Sequence, residues 1–185
     1  DLLWQPAVKS YLKGERDDMI DLMAWNADGT RMPWKMHTEY LLGLYLNNDL
    51  AEGRYFVDGK PVALSDIRAP LFVVGTVKGH VSPWHSVYKV HRLTQTDVTF
   101  VLTNGGHNAG IVSEPGHTRR RYRIATRSAN DHYVDPEVWL AETPAASGSW
   151  WTEWARWLDA HSGPPGPPPA IGASVAAQLA ARSRR

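Results

Sequence analysis

Residues 69–76, APLFVVGT, form a continuous apolar run punctuated by Pro70 and Gly75. So short a run with no polar alternation reads as a strand buried on both faces, the kind found in parallel sheets. Residues 97–104, DVTFVLTN, read as a second such strand. Between them, PWHSVYKVHRL (83–93) opens with proline at a helix start. Its Trp84, Val87, Tyr88 and His91 recur at helical spacing. Strand, loop, helix and strand over 69–104 make a βαβ unit, whose right-handed crossover implies parallel pairing. The expected fold class is therefore α/β, a parallel sheet flanked by helices.

Upstream, residues 4–24 read as broken helix, with Leu12, Met19, Ile20, Leu22 and Met23 at apolar spacing and Gly14 as an interruption. WNADGTRMPW (25–34) carries turn chemistry in Asn26, Asp28, Gly29 and Pro33. HTEYLLGLYLNN (37–48) resumes helix, with Tyr40, Leu41, Leu44 and Tyr45 on one face. YFVDGKPVAL (55–64) is a hairpin whose Asp58-Gly59 suits a tight turn with positive φ. Downstream, residues 113–148 show little periodicity. SWWTEWARWLDAH (149–161) is an amphipathic helix with Ser149 as cap and an apolar stripe of Trp150, Trp154, Trp157 and Leu158. SGPPGPPP (162–169) ends the domain, because its prolines forbid helix. The organisation expected is one domain over 1–161, helical over about 4–54 and sheet with helices over 55–161. A Pro-rich linker and an Ala/Arg tail without fixed structure follow over 162–185.

A length of 185 residues suffices for one domain with a core. Lys plus Arg is 20 and Asp plus Glu is 19, so overall charge gives no argument for a nucleic-acid partner. Without cysteine, these residues hold no disulfide, thiolate metal site or thiol nucleophile. No apolar stretch approaches the roughly 20 residues of a membrane span. The chain starts at Asp1 and already reads like the middle of a folded region, so a fragment of something longer is expected.

Catalytic groups of parallel sheets gather at the carboxyl ends of strands. Two such ends are legible, the loops 75–82 and 104–110. The second carries His107 between Gly106 and Asn108, small neighbours that let the backbone turn and leave an imidazole exposed for proton transfer. The α/β-hydrolase chain order of nucleophile, acid and histidine fits this layout. His80, His85 and His91 match no zinc spacing and suit a loop and helix beside a core, so no metal is expected. TRRRYRIATR (118–127) holds five Arg and reads as a solvated loop, with phosphate binding as the sharper alternative.

YLKG, LMAWNADGTRMP, YLNNDL, VDGKPVALSDIRAPLFVVGT, HVSPWHSVY, FVLTNGGHNAGIV and GSWWTEWARWL together resemble the C-terminal region of poly(3-hydroxyalkanoate) polymerases. The resemblance runs in order over roughly residues 4–161. It implies the C-terminal portion of an α/β-hydrolase fold with a helical cap segment. It also implies acyl transfer from (R)-3-hydroxyacyl-CoA to a growing polyester through a Cys–His–Asp triad. His107 in GGHNAG is similar to the family's catalytic histidine and would act as general base. The aspartate position before the HVxPW pattern is Gly79 here, and no G-x-C-x-G or G-x-S-x-G elbow is present. Asp28 and Glu114 are the candidate carboxylates to stand in for the aspartate, and water in the gap left by glycine is another candidate. Trp25, Tyr40 and Tyr45 fall in the cap region, where cap core is the preferred role.

The resemblance further implies no cofactor beyond the coenzyme A carried by the substrate. It implies a polyester partner, a second copy of the chain as a dimer partner, and a cytoplasmic or granule-surface location. This chain alone is expected to be inactive. Two alternatives share the fold, namely a related hydrolase or depolymerase and a non-catalytic granule-associated relative.

Overall fold

The computed structural model describes residues 4, 8–14 and 20–167. The chain divides into two compact units, Asp1–Ala63 and Leu64–Arg185. Met19 and residues 168–185, including the Ala/Arg tail, lie outside the described residues.

The first unit is helical with one hairpin. A π-helical turn spans Val8–Leu12, α1 spans Asp21–Ala27, and α2 spans Trp34–Tyr40 and runs into a π-helical segment, Leu41–Leu46. The turn read over 25–34 is thus shorter than expected, because α1 continues through Trp25 to Ala27 before Asp28 ends it. Strands β1 (Tyr55–Val57) and β2 (Lys60–Val62) pair antiparallel. Asp58 and Gly59 take φ of 49° and 73°, the left-handed pair that a two-residue hairpin turn requires. Trp25 and Tyr45 are 75% and 69% exposed, so neither forms a cap core with the described residues of this chain.

The second unit contains a four-stranded sheet in the order β3-β4-β5-β6. Its strands are β3 (Leu71–Thr76), β4 (Val98–Thr103), β5 (Arg121–Arg127) and β6 (Ala145–Ser147). β3 and β4 are parallel in the register Leu71↔Val98 to Thr76↔Thr103, which bears out the βαβ unit. β5 and β6 each pair antiparallel with their neighbour, so the sheet is mixed, not parallel throughout. Residues 113–148, read as aperiodic, contain β5, β6 and α5 (Pro136–Glu142). The arginine run is no loop over its second half. Tyr122 is buried there, and Arg123 and Arg127 are half-buried. Arg123 donates to the Thr143 carbonyl, and Arg127 reaches the carbonyls of Thr94, Thr96 and Asp131.

The expected helix 83–93 is two pieces, α3 (Trp84–Tyr88) and α4 (Val90–Leu93), divided at Lys89. These helices and α5 cover one face of the sheet. Trp84, Tyr88 and Trp139 pack there on Phe100 and Leu102. α6 (Trp151–His161) covers the other face, where Val101, Tyr122 and Trp150 cluster with Phe72 and Val74. Phe72 lies 6.1 Å from the Trp150 ring and 5.7 Å from Trp157. Trp154 and Leu158 are about two-fifths exposed, so only part of the expected stripe packs. Every residue of β4 is buried, because β3 and β5 pair with it along its full length and helices cover each face. β3 is only half-buried, with one edge unpaired among the described residues.

His91 belongs to this core at 4% exposure, with its ring 4.4 Å from Tyr88 and 5.7 Å from Phe100. Burial, aided by the Arg127 guanidinium, pushes its pKa down to about 4. The unfolded chain binds that proton near pH 6.5, whereas the folded chain holds the ring neutral. Folding is therefore favoured fully above pH 6.5 and weakened as pH falls toward 4, by about 3 kcal/mol over the whole interval. Thermal melts between pH 7 and 5 should show a falling Tm, and H91F, which keeps an aromatic ring there, should flatten that fall.

Candidate functional site

The loops that follow β3 and β4 are joined by backbone hydrogen bonds. Val77 N–H donates to Thr103 O at 3.0 Å, and Lys78 N–H donates to Gly105 O at 2.8 Å. Parallel pairing brings the two strand ends level, at Thr76 and Thr103, so these bonds simply extend the ladder by two residues. The loops then turn back on themselves through Gly79 N–H to Thr76 O at 3.1 Å and Gly110 N–H to Gly106 O at 2.8 Å. His80 and His107 leave these turns side by side. Their rings stand edge to face, with centroids 5.3 Å apart and planes at 89°. Both side chains are exposed. The two loop positions singled out by sequence are thus neighbours in space.

Thr76, the last residue of β3, is buried between the loops at 5% exposure. A Cβ placed on Gly79 would overlap Thr76 Oγ1, and one placed on Gly110 would lie 2.9 Å from Thr76 Cγ2. The two branches of this β-branched side chain therefore each face a glycine. The space beside residue 79 holds a threonine hydroxyl. The histidine–carboxylate hydrogen bond among the described residues lies elsewhere, between His85 Nε2 and Glu137 Oε1 at 2.6 Å. Glu114 is exposed, and Asp28 belongs to the first unit. No cluster of three or more His, Cys, Asp or Glu suited to a metal occurs among the described residues.

The histidine loop is also held from the helix α6 side. Trp150 Nε1–H donates to Gly110 O at 3.0 Å, and Trp151 Nε1–H donates to Ile111 O at 2.9 Å. Ser149 Oγ donates to Ser113 O and accepts Trp151 N–H at 3.0 Å. Ser149 thus does bond the start of the helix, although Trp150 occupies the N-cap position. Sequence reading treated Trp150 as apolar stripe and missed that its indole N–H anchors the loop. Two adjacent Trp residues at a helix start were the available signal, since a buried indole N–H needs an acceptor.

An exposed imidazole at this position can accept and return a proton. Without a carboxylate partner it lacks the group that fixes its tautomer and stabilises its charged form. G79A should cost about 1–3 kcal/mol, as overpacking does. T76A, by removing both offending atoms, should make the double variant more stable than the sum of the single changes predicts. Denaturant melts of the four proteins give the coupling, and additivity within about 0.5 kcal/mol would mean that Thr76 does not fill the space beside residue 79.

No family model matches the chain. Curated relatives do. The chain is 38% identical over 164 residues to the poly(3-hydroxyalkanoate) polymerase subunit PhaC of Rhizobium etli, covering 88% of this chain and 25% of that protein. It is 35% identical over 165 residues to the subunit of the same name from Cupriavidus necator, covering 88% and 27%. It is 34% identical over 164 residues to poly(3-hydroxyalkanoate) polymerase 2 of Ectopseudomonas oleovorans, covering 89% and 29%. The chain spans about a quarter of the length of these relatives. Nearly all of its length takes part in every one of these matches, and by them the chain belongs to the poly(3-hydroxyalkanoate) polymerase family, whose C-terminal region it resembles.

Proposed function

We propose that this chain supplies the histidine loop of an acyl-transfer site that moves a hydroxyacyl group from (R)-3-hydroxyacyl-CoA to a growing polyester. The observation that carries the reading is the junction of two loops at the carboxyl ends of parallel strands, with His107 exposed on one of them. The fold reading that goes with it is the C-terminal portion of an α/β-hydrolase fold. His107 acts as general base, taking the proton from a thiol nucleophile or from the hydroxyl of an incoming hydroxyacyl group. These 185 residues contain no cysteine, so the nucleophile comes from other polypeptide of the polymerase. The substrate brings its own coenzyme A, and the chemistry calls on no further cofactor. A dimer of the polymerase at a cytoplasmic polyester granule surface is the setting this function implies. No helix among the described residues is long and apolar enough to cross a membrane.

One observation favours a second reading, a non-catalytic relative that keeps the architecture. Thr76 occupies the space beside residue 79, and glycine there supplies no group to orient His107. The acid of a triad holds the imidazole in one tautomer, and changing it from Asp to Asn in another fold costs about 10⁴ in rate.

The two readings separate in the intact polymerase assayed for CoA release from (R)-3-hydroxybutyryl-CoA. Under the catalytic reading H107A lowers kcat by at least about 10³, and G79D combined with T76A, which makes room for the side chain, raises it by about 10² or more. Under the non-catalytic reading release stays at background in all three proteins. The 185-residue chain by itself should release no CoA above background, and sustained release lost in H107A would contradict the assignment of the nucleophile to other polypeptide.

A further inference from the structure

Acyl transfer calls on one imidazole at the loop junction, and the structure places two there. The rings of His80 and His107 have centroids 5.3 Å apart and planes at 89°. Both side chains are exposed. Elsewhere the chain engages its imidazoles. His85 Nε2 meets Glu137 at 2.6 Å, and His161 Nδ1 meets the Trp157 carbonyl at 2.7 Å. His117 Nδ1 accepts Arg119 N–H at 3.4 Å, and His91 Nδ1 accepts Arg127 Nε–H at 3.3 Å. No described residue makes such a bond to the ring of His80 or His107. Each ring therefore keeps a nitrogen lone pair open to solvent.

Zinc takes an imidazole nitrogen at about 2.0–2.1 Å in a tetrahedral shell. A ring centroid then lies about 3.2 Å from the metal, and two rings set at about 109° have centroids about 5 Å apart. The separation of His80 and His107 matches that of such a chelate. Rings turn freely about their metal bonds, so perpendicular planes are compatible with it. Exposed side chains change rotamer in nanoseconds or less, which lets the nitrogens aim at a shared ion. The loops themselves are already joined, by Val77 N–H to Thr103 O and Lys78 N–H to Gly105 O, so little ordering is left for binding to impose. Spacing along the chain hid this pair, because its members follow different strands. No third His, Cys, Asp or Glu joins it among the described residues. Two protein ligands with water at the other positions fall short of a structural zinc site, so the ion they suit is an exchangeable one.

We infer that His80 and His107 chelate one exchangeable divalent ion of the zinc class between the two loops. Imidazole suits Zn²⁺, Cu²⁺ and Ni²⁺, whereas Mg²⁺ and Ca²⁺ take oxygen ligands. The existence of this site does not rest on the proposed function, but its consequence does. A neutral imidazole has one lone pair, and an ion seated on His107 occupies the pair that a general base needs. Occupancy therefore holds acyl transfer off, and release of the ion restores it.

The test titrates the full chain, without a histidine tag, with ZnCl₂ by calorimetry and follows the histidine ring protons by NMR. Wild type should bind one Zn²⁺ per chain, with the ring signals of His80 and His107 moving together, and MgCl₂ should move neither. H80A and H107A should each weaken binding at least about tenfold, since loss of even a supporting partner of a metal ligand costs about 10–100-fold. H132A, which removes an exposed histidine outside the junction, should leave binding unchanged. The substituted side chains are exposed, so the core is untouched, and the ring signals of wild type require no variant at all. Absence of saturable Zn²⁺ binding, movement of only one of the two rings, or undiminished binding in H80A or H107A overturns the inference. Loss of binding in H132A overturns it too, because the ion would then sit elsewhere. None of these readouts depends on turnover, so failure here leaves the acyl-transfer reading to its own assay.

Discussion

The acyl-transfer reading of this chain depends on the continuation of the β3–β4 ladder into the loops beyond it. Two backbone hydrogen bonds, from Val77 to Thr103 and from Lys78 to Gly105, carry the pairing past the strand ends. Thr76 then sits between Gly79 and Gly110 with one branch toward each. A hydrogen bond of this kind contributes only about 1 kcal/mol net. Their effect here is geometric, since they leave the loops one arrangement in which residues 80 and 107 project together. The parallel register, fixed by the fully buried β4, sets that arrangement before any side chain in the loops is chosen.

The same junction explains how the loop holds its shape with glycine at position 79. A carboxylate-bearing residue at 79 would compete with Thr76 for space, and glycine lets the threonine settle against the backbone instead. The indole N–H groups of Trp150 and Trp151 hold the carbonyls of Gly110 and Ile111 from the opposite face. The position of the His107 loop is therefore secured by backbone, threonine and tryptophan, none of which is a proton carrier. Glycine at 79 brings no carboxylate to the imidazole while leaving its placement supported.

Much of this was legible in the sequence, for reasons that differ element by element. The strands APLFVVGT and DVTFVLTN were visible because buried parallel strands leave uninterrupted apolar runs. The hairpin was visible because Asp58-Gly59 is the chemistry its turn requires. β5 was hidden by its arginines. Its alternation of Tyr122 and Ile124 with Arg121 and Arg123 is of period two, but arginine on a sheet face reads as solvent when its carbonyl partners are distant in sequence. Thr94, Thr96 and Thr143 supply those partners for Arg127 and Arg123. α5 carried a legible start that went unread, with Asp135 accepting Glu137 N–H at 3.0 Å and Pro136 following it. The break at Lys89 and the role of Thr76 had no local signal. Both arise from packing against residues far along the chain.

The nearness of the His80 and His107 rings is the direct expression of the joined loops, and nuclear Overhauser contacts between their ring protons measure it. His91 and Tyr88, with ring centroids 4.4 Å apart in the core, provide the internal standard. With ring centroids 5.3 Å apart, His80 and His107 should give cross-peaks in the same spectrum. A spectrum that shows the His91–Tyr88 contact and none between His80 and His107 would contradict the shared site.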